Sequence, residues 1–163
     1  MLKFRITIIA CICMAFLMPL TSHLAVSAES PAYTHYVYMT GHDGWLHYIV
    51  NAWSLLVMHN LFRWYRVATA YLLAVLVSYV ALPESPMVGA SVFTCFFFGF
   101  SAPWLWRRDR LAVGMTAGLL ALTCVLPGFA GIPHVVAFSC GVVFSMGEGW
   151  VRRMVEYLGE GDC

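Results

Sequence analysis

Every lysine and arginine in this chain falls on one side of a single imagined boundary. The nine basic residues are Lys3, Arg5, Arg63, Arg66, Arg107, Arg108, Arg110, Arg152 and Arg153. They lie near the N-terminal end, at 63–66, at 107–110 and in the final stretch. Between them run six apolar segments, about 6–26, 45–62, 67–82, 87–106, 111–126 and 133–146. If each segment crosses a membrane, alternate gaps face opposite sides, and all nine basic residues then face the same one. Basic residues collect on the cytoplasmic side of membrane helices. The pattern therefore predicts six crossings with both termini in the cytoplasm, and it suits a bacterial inner membrane.

Composition agrees. The chain is 61% apolar and 10% charged, against roughly 25% charged in soluble domains. A soluble fold has no polar surface with which to cover so much apolar area. In lipid every backbone group must be paired internally, and no segment alternates as a barrel strand does. The expected fold class is all-α: a polytopic membrane protein built as a six-transmembrane-helix bundle. Several segments are short for a straight crossing of a core ~30 Å thick, so tilted or partly sunken helices are expected. The net charge of +1 gives no case for nucleic acid. Of six cysteines, five lie in apolar segments and none forms C-x-x-C; they read as small apolar packing groups, not as metal ligands or disulfides.

The organisation expected is a first transmembrane helix over 1–28, an external interfacial loop over 29–44, a core of five further helices over 45–150 and a cytoplasmic tail over 151–163. Val26-Ser27-Ala28 before Glu29 offers a rival reading of the first helix as a cleaved signal peptide. The long apolar run and the even number of spans favour its retention. Tyr33, Tyr36 and Tyr38 in the loop suit a membrane interface. Gly114-x-x-x-Gly118 and Ala137-x-x-x-Gly141 read as seams where helices approach closely.

Topology then fixes depth. Segments two, four and six all start from the outer side. His47 lies two residues inside Trp45, Ser91 about five residues past Pro86, and His134 directly after Pro133. At 1.5 Å per residue all three lie within roughly 10 Å of the outer face. Asn51 is one turn below His47 on the same side of its helix. Such a group has a chemistry. A serine hydroxyl needs a base to become a nucleophile, and a neutral imidazole is one. The oxyanion formed on a peptide carbonyl needs preorganised donors. Asn51, a second imidazole and the Ser91 N–H can supply them, and Gly89 would let a substrate strand approach the backbone. Taken singly, the bland readings are a serine bonded to its own helix and an asparagine or histidine joining neighbours.

Gly41-His42-Asp43-Gly44-Trp45-Leu46-His47-Tyr48-Ile49-Val50-Asn51 resembles the second-helix motif of the rhomboid proteases, a histidine, five residues on a second histidine, then x-x-x-Asn. Gly89-Ala90-Ser91 resembles the start of their G-x-S-G motif on helix four. Gly131-Ile132-Pro133-His134, with Gly141 seven residues later, resembles their helix-six histidine motif. The resemblance implies an intramembrane serine endopeptidase with Ser91 as nucleophile and His134 as base, without an aspartate. His47, Asn51 and the Ser91 amide would stabilise the oxyanion. Substrates would be transmembrane protein segments that arrive from the bilayer near segment five and are cut near the outer face. No cofactor or metal is implied. The chain departs from the pattern at Val92, Ala137 and Cys95, where the family carries glycine, glycine and often an aromatic, and in a short first loop. Each swap is expected to fill space around the dyad. One rival function is a catalytically inactive rhomboid-like protein that binds transmembrane segments as an adaptor or quality-control factor. The other is an electron-carrier subunit with His47, His59 and His134 as haem ligands. His23 and His35 receive no role.

Overall fold

The structure is a computed structural model, and it describes residues 2–80, 86–123 and 131–159. The expected ends of segments three and five, at Pro83-Glu84-Ser85 and Pro127-Gly128, lie outside the described residues, as do Cys124 and residues 160–163.

The fold is all-helical. Its helices are α1 (Leu2–Leu17), α2 (Thr21–Leu24), α3 (Thr34–Val37), α4 (Gly44–Met58), α5 (Trp64–Val80), α6 (Ser91–Leu105), α7 (Arg110–Thr123) and α8 (Gly131–Gly159). Two described stretches, Leu2–Leu24 and Gly131–Tyr157, are long and apolar enough to cross a membrane. The other apolar helices are shorter: α5 has 17 residues, α6 has 15 and α7 has 14.

Several boundaries differ from the sequence reading, among them the following three. The fourth segment was expected to be helical from Met87, but α6 starts at Ser91. Met87 instead pairs with Val26 in an isolated antiparallel bridge, with reciprocal N–H···O bonds of 2.8 and 2.9 Å. Gly89, at φ +104°, then turns the chain into the helix. The sixth segment was expected to end at Met146, but α8 runs on to Gly159. The residues after Met146 are polar only in part, so the helical pattern persists beyond the apolar run. The third segment starts at Trp64, three residues early.

At the far end of α6, Pro103 removes one helical N–H, and the helix stops two residues later. Asp109 then caps α7 by accepting the Ala112 N–H on Oδ1 at 2.9 Å.

The core is built on α6 and α8, the most closely packed pair of helices. Their contacts advance in step: Ser91 meets His134, Phe96 meets Gly141, and Phe100 lies 6.3 Å from Phe144. The two helices therefore run parallel and begin at the same end. A Cβ on Gly141 would run into the Phe96 carbonyl, and one on Gly99 into the Phe138 carbonyl. The Ala137–Gly141 seam thus exists and is answered by Gly99 across the interface. At Gly114 and Gly118 no such partner stands among the described residues: a Cβ at either position meets none of their atoms within 4 Å. Val92, Phe96, Phe97 and Ala137 fill the interface and join Ala70 and Ala74 of α5 in one buried cluster.

Residues 29–44, expected as an external interfacial loop, form with 25–28 a packed cap. Tyr33 and Tyr36 are exposed as the interface reading requires, but Tyr38 and His42 are almost wholly buried, at 0% and 1% exposure. The Tyr38 hydroxyl donates to the Ala74 carbonyl at 3.0 Å, and burial raises its pKa. His35 bonds Ser78 through Nδ1 at 2.9 Å and stacks on Tyr79 at 3.8 Å. The cap is thereby fastened to α5. At the opposite end of the molecule Arg66 meets Glu148, 2.6 Å apart.

Candidate active site

Three pieces of local structure deliver the site. The first is the start of α6. The Val26–Met87 bridge and the bond from the Gly89 N–H to the Tyr38 carbonyl, 2.9 Å, hold the turn before Ser91 against the cap. Ser91 is the first helical residue, so its N–H has no carbonyl four residues back within the helix to bond. It is free to serve as a donor to a ligand, and the positive end of the helix dipole lies there.

The second piece is the start of α8, where His134 follows Pro133 in the first turn. Its Nε2 lies 2.7 Å from Ser91 Oγ. With the ring proton on Nδ1, the serine hydroxyl donates and Nε2 accepts. Among the described residues no carboxylate hydrogen-bonds His134, so the pair is a dyad. Val92, Cys95 and Ala137 all sit in buried packing beneath it, with exposures of 1%, 8% and 0%. Their side chains were expected to crowd the dyad, yet the hydrogen bond forms over them.

The third piece is the start of α4. His47 lies flat enough against Gly89 that a Cβ there would stand 2.6 Å from Cε1 and 2.7 Å from Nε2 of the imidazole. Gly89 was expected to admit a substrate strand; the space a side chain would take is instead occupied by His47. The imidazole is in this way pressed onto the turn two residues before Ser91. Asn51, buried, donates one amide proton to the His47 carbonyl at 2.9 Å. Its amide has a second proton to give. That first bond is the familiar one-turn back-bond, and it fixes the side chain along the face that carries His47.

The structure therefore joins Ser91 to His134, His47 to Gly89 and Asn51 to His47. His59 is drawn elsewhere: its Nδ1 contacts the Leu56 carbonyl at 2.7 Å and its ring meets Phe4.

Sequence reasoning gave His42 a place in the second-helix motif but no role. Its ring lies edge-on to both His47 and Tyr48, with centroids 5.3 and 5.6 Å away. Neither ring nitrogen has a hydrogen-bond partner of good geometry. Burial, and after it the charge of His47, pushes its pKa down to about 4, while the Thr40 backbone pulls weakly the other way. It is a neutral spacer behind His47. Its backbone is tied to Thr21, whose hydroxyl donates to the His42 carbonyl at 2.9 Å. The signal available in sequence was only its spacing of five residues from His47.

Chemically the arrangement offers an alkoxide precursor, an imidazole in direct contact with it, and a second imidazole against the turn two residues before the serine. Compared with family models, with curated proteins and with solved structures, the chain matches none of them.

Proposed function

We propose that this chain is an intramembrane serine endopeptidase of the rhomboid type, with Ser91 as nucleophile and His134 as general base. The observation that carries the reading is the 2.7 Å contact between Ser91 Oγ and His134 Nε2, made by two parallel helices that start at the same end. Nucleophile and base are recognised by this reach.

In the proposed cycle His134 takes the Ser91 proton as Oγ attacks the scissile carbonyl. The oxyanion is met by the Ser91 N–H, His47 and Asn51. Collapse expels the amine, which takes the proton from His134 and leaves an ester on Ser91. A water then gives its proton to His134, attacks the ester and releases the acid, restoring both residues.

The substrate would be a transmembrane segment cut near the arginine-free face. Among its described side chains α7 contributes no buried residue, which suits a helix that yields to a substrate arriving from the bilayer. The finer topology belongs to the same proposal: six crossings, basic ends in the cytoplasm, in a bacterial inner membrane. Helices of 14–17 residues would span by local thinning of the bilayer.

A fluorophosphonate probe tests the reading against an inactive, segment-binding relative. Labelling of the native protein that disappears in Ser91→Ala and in His134→Ala supports a protease. Native protein that binds a transmembrane peptide yet never labels would be the inactive form.

A further inference from the structure

A cavity of ≈ 1250 Å³ opens at the arginine-bearing end, between α6, α7 and α8. It lies at the opposite end of α6 and α8 from Ser91 and His134, and the proposed cycle does not use it. Ala117, Phe138 and Val142 form its apolar wall, and Arg107, Arg152 and Arg153 stand along its rim.

The basic groups nearby sort into two kinds. Arg66 is committed to Glu148, at 2.6 Å. Arg108 lies over the Trp104 ring at 4.4 Å and Arg110 over Trp106 at 5.9 Å. Arg107, Arg152 and Arg153 have neither an ion pair nor a ring partner among the described residues. They are exposed, and they line one opening from the turn after α6 and from α8.

Three uncompensated guanidiniums beside an apolar slot make a particular complement. Guanidinium pairs with phosphate through parallel N–H···O bonds. The slot leading away between helices is wasted on a small soluble anion but fits a hydrocarbon chain. We propose that this groove binds one anionic glycerophospholipid, with its phosphate on Arg107, Arg152 and Arg153 and an acyl chain along Ala117, Phe138 and Val142. Basic pockets between membrane helices hold such headgroups. The proposal needs the helices to lie in a bilayer, and it does not depend on Ser91 or His134.

The test uses the full chain in nanodiscs of equal phosphatidylglycerol and phosphatidylcholine, with retained lipid counted by native mass spectrometry. Phosphatidylglycerol should be retained in about hundredfold preference, each of the three arginines contributing about fivefold. Arg107→Gln should lower the preference about fivefold, and Arg152→Gln with Arg153→Gln should lower it about twenty-five-fold. Lys3→Gln, a basic residue outside the groove, should leave it unchanged. Ala117→Phe, which narrows the slot without touching charge, should reduce retention of both lipids. Equal retention of the two lipids by the native protein, or a preference untouched by the arginine variants, would overturn the proposal. So would displacement of the lipid by millimolar glycerol phosphate, since that outcome assigns the groove to a soluble anion.

Discussion

Gly141 of α8 and Phe96 of α6 stand so close that a single methyl group on the glycine would strike the phenylalanine's carbonyl oxygen. Gly99 and Phe138 repeat the relation in reverse. These two contacts set how near the helices come, and Ser91 and His134 lie on the same pair of helices a short way toward their starts.

Enlarging either glycine should therefore part the helices. The opposing atoms are backbone and cannot swing aside, so Gly141→Val or Gly99→Val should cost at least about 3 kcal/mol. Residual folded protein should lose the proposed proteolytic activity by ~10²-fold as Ser91 and His134 separate by ~1 Å. Gly114→Ala is the control. Its Cβ meets open space, and removing a helical glycine should leave stability unchanged or raise it by about 0.5–1 kcal/mol. Thermal unfolding in detergent reads all three.

Gly89→Ala tests the link between His47 and the serine turn. A side chain at φ +104° is strained and would also collide with the His47 ring. The strain is of order 1–2 kcal/mol, so the helices should survive. The displaced imidazole should lower turnover ~10²-fold, with helical content by circular dichroism unchanged.

The Arg66–Glu148 pair should prove strongly coupled. Glu148 accepts from Arg66 Nε at 3.1 Å, from Arg66 Nη2 at 2.6 Å and from the Tyr65 hydroxyl at 2.7 Å. Arg66 also lies over the Phe100 ring at 4.1 Å. Glu148→Ala leaves a largely buried guanidinium with the Leu61 carbonyl, at 3.2 Å from Nη1, but without its carboxylate, and should cost about 2–4 kcal/mol. Arg66→Met with Glu148→Ala should cost less than the sum of the two single changes in a double-mutant cycle.

His42 gives a pH dependence of defined sign. Its ring ionises at about 4 in the folded protein against an ordinary 6.5. Between those values the unfolded chain takes up a proton that the folded chain refuses. Stability is thus complete above pH 6.5 and falls as pH drops toward 4, by up to about 3 kcal/mol. His42→Phe should flatten that slope. Because neither ring nitrogen is hydrogen-bonded, the same change should be neutral or stabilising at pH 7. The adjacent cavity of ≈ 430 Å³, which His42 lines, gives the larger ring room. Unfolding curves at pH 7 and pH 5 make the comparison.

The helices were legible because apolar runs of this length can be little else. The meeting of Ser91 and His134 was legible because the charge pattern put both at the same end of parallel helices. The cap was not. Tyr38 and His35 are polar aromatics in a polar stretch, and their burial depends on Ala74 and Ser78, 36 and 43 residues away. No local period announces such partners. The late start of α6 was hidden for the same reason, since Met87 is taken out of the helix by Val26. Gly114 and Gly118, which meet no neighbour among the described residues, show the limit of a spacing rule: small residues four apart permit close approach without supplying the neighbour.

Proteolysis of a model transmembrane substrate in proteoliposomes is the most direct test. The native protein should cut it near the arginine-free face, and Ser91→Ala and His134→Ala should each lose at least ~10³-fold in rate, while Ser101→Ala, whose hydroxyl donates to its own helix at Phe98, stays active. Cleavage that persists in Ser91→Ala would contradict the proposed chemistry.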